Sequence, residues 1–241
     1  MQVLKIKKHF LFLFIAGLFS VHCFAQDDKG DEKQYPQHDL TAAPPATEEI
    51  FYRGSIQIGG GIMYAITNKA LRSSLGGEYS GHCSGNFVIA PHIYTGLELE
   101  WAQFGNTSFV ANASTIMSVF NAGVKIGYYT FMQKDFLFCY SLSGGPSLVK
   151  YSHAILPSPK GGFQVTSFFV APNMFIGYRV NNELRIGLDL TFNFMGYHFD
   201  PTLTGLDQTL PGYTDAWSHD PTMYFQWGFG LYWAFAEGKR K

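Results

Sequence analysis

His82, Ser84, Glu98 and Glu100 are the residues whose types and spacing could do chemistry. A tight turn centred on Pro91 pairs position 84 with 98 and position 82 with 100. Directly opposed residues on neighbouring antiparallel strands lie about 4.5–5.5 Å apart at Cβ. A hydroxyl, an imidazole and a carboxylate at that range are the parts of an activated nucleophile. The same four side chains also suit an interior hydrogen-bond ladder, and their facing decides between the two. Leu97, Leu99 and Trp101 alternate with Glu98 and Glu100. If the apolar row faces lipid, the glutamates point into a closed interior that a lipid substrate does not reach. The ladder is therefore the expectation, with His82, Ser84 and Glu98 kept as the catalytic candidates. His153, His198-Phe199-Asp200 and His219-Asp220 could offer metal ligands, but they share no repeated spacing and read as solvated loop residues. The expectation is no metal and no cofactor.

The elements that must position these residues are strands. From Met223 to Phe235 every second residue is large and apolar: Met223, Phe225, Trp227, Phe229, Leu231, Trp233 and Phe235. Between them lie Tyr224, Gln226, Gly228, Gly230, Tyr232 and Ala234. A period of two is a β-strand with two different faces. Bare aromatics on one face and a thin, semi-polar row on the other suit lipid outside and a crowded interior. Thirteen residues at ~3.3 Å rise, tilted about 45°, span about 30 Å, close to the ~25 Å apolar band of a membrane barrel.

Seven earlier segments repeat the pattern, at about 52–67, 74–89, 93–104, 114–130, 136–151, 164–180 and 184–197. The connections alternate long and short, with polar loops at Asn106–Ala113, Ser152–Phe163 and His198–Asp220 and tight turns at Pro91, Met132–Asp135 and Asn181–Glu183. That asymmetry predicts an all-β, eight-stranded antiparallel up-and-down transmembrane barrel over residues 51–236, with a C-terminal tail at 237–241. The inward rows carry Glu98, Glu100, Lys125, Arg179, Arg185 and Asp189. Charges of both signs in a closed space must pair, so they predict a polar network that plugs the barrel.

Residues 1–25 have a lysine-rich start, an apolar run and a small-x-small ending, the layout of a secretory signal peptide. Residues 26–50 are polar and proline-bearing, and read as a periplasmic tether. Charged residues make up only 15% of the chain and the formal net charge is −1, so no basic face for nucleic acid stands out. Cys83 and Cys139 fall on separate strands, which argues against a disulfide framework.

The leader, tether, strands and loop pattern resemble the small outer-membrane barrels of the OmpA/OmpX type. The glycine-rich first strand and Gly-Leu-Glu-Leu-Glu at 96–100 look like the outer-membrane β-barrel domain family common in Bacteroidetes. One departure is that Phe235, in the place of the terminal aromatic such barrels often carry, is followed by Ala236 to Lys241. The resemblance implies a Gram-negative outer-membrane location with both termini periplasmic. It also implies contact with outer-membrane lipid or lipopolysaccharide and with the assembly machinery. The expected role is non-enzymatic, structural or adhesive, with a protein partner met through the external loops or the tether. Alternatives are a PorT-like component of a secretion or gliding machine, a narrow pore, and a hydrolase. The last resembles the outer-membrane lipid A deacylases, whose Ser, His and Glu would match Ser84, His82 and Glu98.

Overall fold

A computed structural model of the chain describes residues 50–106, 115–132, 135–153, 162–204 and 206–239. The expected signal peptide, the tether up to residue 49 and most of the loops at 106–113 and 152–163 lie outside the described residues.

Alternating apolar and polar residues form the strands β1 (Ile50–Ala65), β2 (Leu75–Ala90), β3 (Ile93–Asn106), β4 (Thr115–Met132), β5 (Phe136–His153), β6 (Gly162–Arg179), β7 (Leu184–Met195) and β8 (Met223–Lys239). Each pairs antiparallel with its chain neighbour, and β1 pairs with β8 to close an eight-stranded barrel. Closure leaves no open sheet edge. The pairing of 84 with 98 and 82 with 100 is present in the β2–β3 register. β8 runs past Phe235 into the expected tail: β1 starts at Ile50, and Ile50 pairs with Lys239. That early start of β1 supplies a backbone partner for residues beyond Phe235.

The two faces are inverted relative to a water-soluble barrel. Leu97 is 67% exposed and Phe229 71%, whereas Glu98 is 4% exposed and Lys125 1%. Trp227 lies on the exposed outer face with them, and Arg185 lies buried. Adjacent residues of one strand thus meet opposite environments, as the pleat demands. No described helix is long and apolar enough to cross a membrane.

The lumen is not polar along its whole length, which corrects the expectation of a polar plug. At the short-turn end Tyr94, Tyr129, Leu137, Cys139, Phe175 and Tyr232 pack together. At the long-loop end Met63, Phe104, Met117, Tyr151 and Tyr224 from the strands pack with Leu71, Phe199 and Leu206 from two connections. The first joins β1 to β2; the second, which joins β7 to β8, was expected to be a plain loop. The first holds a short helix, α1 (Lys69–Ser74), and the second holds 3₁₀ turns at Pro201–Thr204, Leu206–Thr209 and Asp215–Trp217. Asn68 starts α1 by accepting from Leu71 N at 2.9 Å. Its amide also donates to the carbonyls of Phe199 and Asp220 at 3.1 and 3.0 Å. One side chain thereby ties α1 to the β7–β8 connection, and the two form a lid.

Candidate functional site

Between the apolar ends lies a belt of polar side chains from all eight strands. An inward position on any strand of so narrow a barrel reaches across to the far wall, so residues far apart in the chain meet here. Lys125 on β4 is its centre. Its ammonium has three protons and three acceptors: Glu98 Oε2 at 2.7 Å, and Gln57 Oε1 and Ser84 Oγ at 3.2 Å each. Ser143 Oγ donates to the other Glu98 oxygen at 2.9 Å. A buried ion pair is tolerable when further hydrogen bonds support it, and here Gln57 and Ser84 support Lys125 while Ser143 supports Glu98 Oε1.

Asp189 on β7 is a second node. Its Oδ2 receives Gln57 Nε2 at 2.9 Å and lies 3.1 Å from His82 Nε2. Its Oδ1 receives Asn173 Nδ2 at 2.6 Å. Gln57 therefore bridges Lys125 to Asp189, and the two nodes form one network. Gly59 makes room for it: a Cβ there would collide with the His82 ring and sit 2.9 Å from Asp189 Oδ2. Glu100 forms a separate node with three neutral donors, Asn193 at 2.8 Å, Asn121 at 2.9 Å and Tyr224 Oη at 3.1 Å.

The candidate nucleophile set is adjacent in space but connected differently. His82 turns away from Ser84: Nε2 faces Asp189, and Nδ1 lies 3.4 Å from the Gln226 amide nitrogen. Ser84 Oγ accepts from Lys125 and, at 3.4 Å, from Asn86. Glu98 binds Lys125 and Ser143. Neither imidazole nitrogen faces the hydroxyl, which itself meets a cation and an amide instead of a base. The arrangement holds charge in place.

Glu98, Glu100, Lys125, Arg185 and Asp189 are all buried in the lumen. Arg185 lies nearer the short-turn end, its guanidinium 5.0 Å from the Phe131 ring centre. Arg179 departs from the expected network. It is half-buried, and its guanidinium donates to Asn182 in the β6–β7 turn. It is the last residue of β6, where the wall ends and a long side chain bonds to the turn. Gln57, Asn121, Asn173, Asn193 and Tyr224 were missed as site residues. Their signal was inward parity on their strands, which a search for charges alone passes over.

His198 and His219 are exposed in the lid, and His153 ends β5. Among the described residues no three His, Cys, Asp or Glu side chains gather as a metal site. Cys83 is exposed on the outer face and Cys139 buried inside, and both are free. Where the lid meets β5, Tyr151 donates to the Tyr197 hydroxyl at 2.8 Å, and burial raises the Tyr197 pKa above its ordinary value.

No family profile and no curated protein matches the chain. Solved structures of outer-membrane barrels do. Neisserial surface protein A matches at 13% identity over 76% of this chain and 97% of its own, with a TM-score of 0.48. Ail, the attachment invasion locus protein of Yersinia pestis, matches at 11% identity over 76% and 97%, with a TM-score of 0.39. The outer membrane protease OmpT of Escherichia coli matches at 10% identity over 78% and 98%, also with a TM-score of 0.39. The chain resembles these proteins as a barrel. Their activities stay with them, and the fold of this chain rests on the pairing of its own strands.

Proposed function

We propose that this protein is an integral outer-membrane barrel that works as a sealed, rigid post presenting a folded lid at the cell surface. The observation that carries this reading is the lumen: an apolar tier at each end and a cross-linked polar belt between them. A filled lumen supports a structural or surface-interaction role over a pore. The wiring of His82, Ser84 and Glu98 supports a structural role over hydrolysis. In this reading the short turns and both termini are periplasmic, and the lid faces outward.

The lid is the surface offered to a partner. It carries exposed Thr202, Leu203, Thr214, Asp215 and His219, held on a base by Asn68, Phe199 and Leu206. A protein partner at this surface or at the tether 26–50, including one in a secretion or gliding machine, fits the same architecture.

Labelling of whole cells tests the reading. Thr214→Cys should react with a membrane-impermeant maleimide in intact cells, and Thr95→Cys, near the short turns, should react only after lysis in the presence of detergent. Labelling of Thr214→Cys only after lysis would overturn the proposed orientation.

A further inference from the structure

The outer wall of the barrel is not uniform. A depression of about 640 Å³ crosses β1 to β6 nearer the long-loop end, with Ile58, Trp101, Phe120 and Leu148 among its walls and Cys83 and Ala122 among its smaller lining residues. It forms where the small outward residues Cys83 and Ala122 alternate with Ile58 and Leu99 along one register row. Ile58 pairs with Cys83, Cys83 with Leu99, and Leu99 with Ala122. Large aromatics stand one step nearer the loops: Gly81 pairs with Trp101, and Trp101 with Phe120. The Trp101 and Phe120 rings stack at 6.5 Å, so that wall is preorganised.

The next outward step toward the loops is polar. Gln103, Ser118, Lys150 and Gln164 are consecutive partners across β3 to β6. The apolar surface is therefore interrupted along this row, directly above the depression, with Ile116 the outward apolar residue beyond it on β4. Lys150 is exposed there, with Nζ 5.5 Å from the Phe120 ring centre. Glu78 is the nearby carboxylate at the far end of the row, and Gln103 donates to it at 2.8 Å. Two strand spacings separate Gln103 from Lys150, roughly 10 Å, so the carboxylate does not neutralise the ammonium by contact.

We propose that this depression binds one molecule of phosphorylated outer-leaflet glycolipid of the lipid A class. One acyl chain fills the apolar trough, a phosphate meets Lys150, and the Ser118 hydroxyl and Gln164 amide meet sugar hydroxyls. The inference rests on the membrane reading above and adds a site to it. A cation at the boundary beside uncharged hydrogen-bonding groups fits an anionic sugar headgroup better than a zwitterionic one. The aromatic stack gives the chain a rigid wall, and the small residues below it give the trough its depth.

The test is native mass spectrometry of the full chain in mild detergent, titrated with bisphosphorylated lipid A, dephosphorylated lipid A and phosphatidylglycerol. The expected result is one bound lipid A, with weaker retention of the other two. Lys150→Ala should weaken lipid A retention about fivefold, the scale of one cation near an anionic membrane surface. Ala122→Phe fills the trough and leaves Lys150 in place, and it should lower retention at least as far. Equal retention of phosphatidylglycerol, unchanged retention in both variants, or a protein dimer lost in Ala122→Phe without any lipid effect would each overturn the proposal. Heat-modifiable mobility of the same samples after insertion into vesicles separates the two levels. A chain that inserts but does not discriminate refutes the site alone. A chain that does not insert refutes the membrane reading.

Discussion

The polar belt and the lid both fill the lumen, but by different physics. The belt is held by directional contacts among side chains on a rigid wall, with Lys125, Gln57 and Asp189 linked in series. The lid is held by apolar packing of two connections, pinned through Asn68. The belt inherits its order from the strands, whereas the lid must be folded onto them. The difference teaches that the barrel and its external surface can be perturbed separately.

The largest effect is expected in the belt. Lys125→Met leaves Glu98 buried without its cation and should cost about 3–5 kcal/mol of unfolding free energy, read by urea titration in vesicles. Lys125→Met with Glu98→Met should regain most of that loss, since neither charge remains. A single variant as stable as the parent would show that the pair is not sealed from water.

Leu97→Arg tests the same strand on its other face. It should cost about 2–4 kcal/mol for folding into a bilayer, the penalty for a cation among lipid tails, and little in a urea-free detergent micelle. Equal stability in both media would erase the contrast between Leu97 and its neighbour Glu98.

Asn68→Ala sharpens the comparison from the lid side. It removes a helix cap and two donated hydrogen bonds, worth about 1–3 kcal/mol. Limited proteolysis should cut residues 198–220 faster while the urea midpoint of the barrel barely moves. A matching fall in the barrel midpoint would show that lid and belt unfold together. Lys69→Ala is the smallest change. The ammonium lies 3.6 Å from the Trp217 ring centre, and its loss should weaken the lid by about 0.5–1 kcal/mol, seen as a modest rise in the same cleavage rate.

Most of the barrel was legible in the sequence because a strand facing two solvents writes its facing into every second residue. The β2–β3 register followed from Pro91 and a turn of fixed length, and so the neighbours of Glu98 and Glu100 could be named. What the row could not give was who meets whom across the lumen. His82 faces Asp189 from the opposite half of the chain, and no local spacing encodes that. The lid was illegible for another reason. Leu71, Phe199 and Leu206 lack a common period because they lie in α1, in the irregular segment before Pro201 and in a 3₁₀ turn, and each is buried only once the others are in place. Arg179 was misplaced because parity says which way a residue points but not where the wall stops.

Conductance of the purified full-length protein in a planar bilayer tests the filled lumen most directly. The account predicts an electrically silent membrane at all moderate voltages, with insertion verified by heat-modifiable mobility. Steady stepwise currents from the inserted parent protein would mean that ions pass the belt and both apolar tiers, and would contradict it.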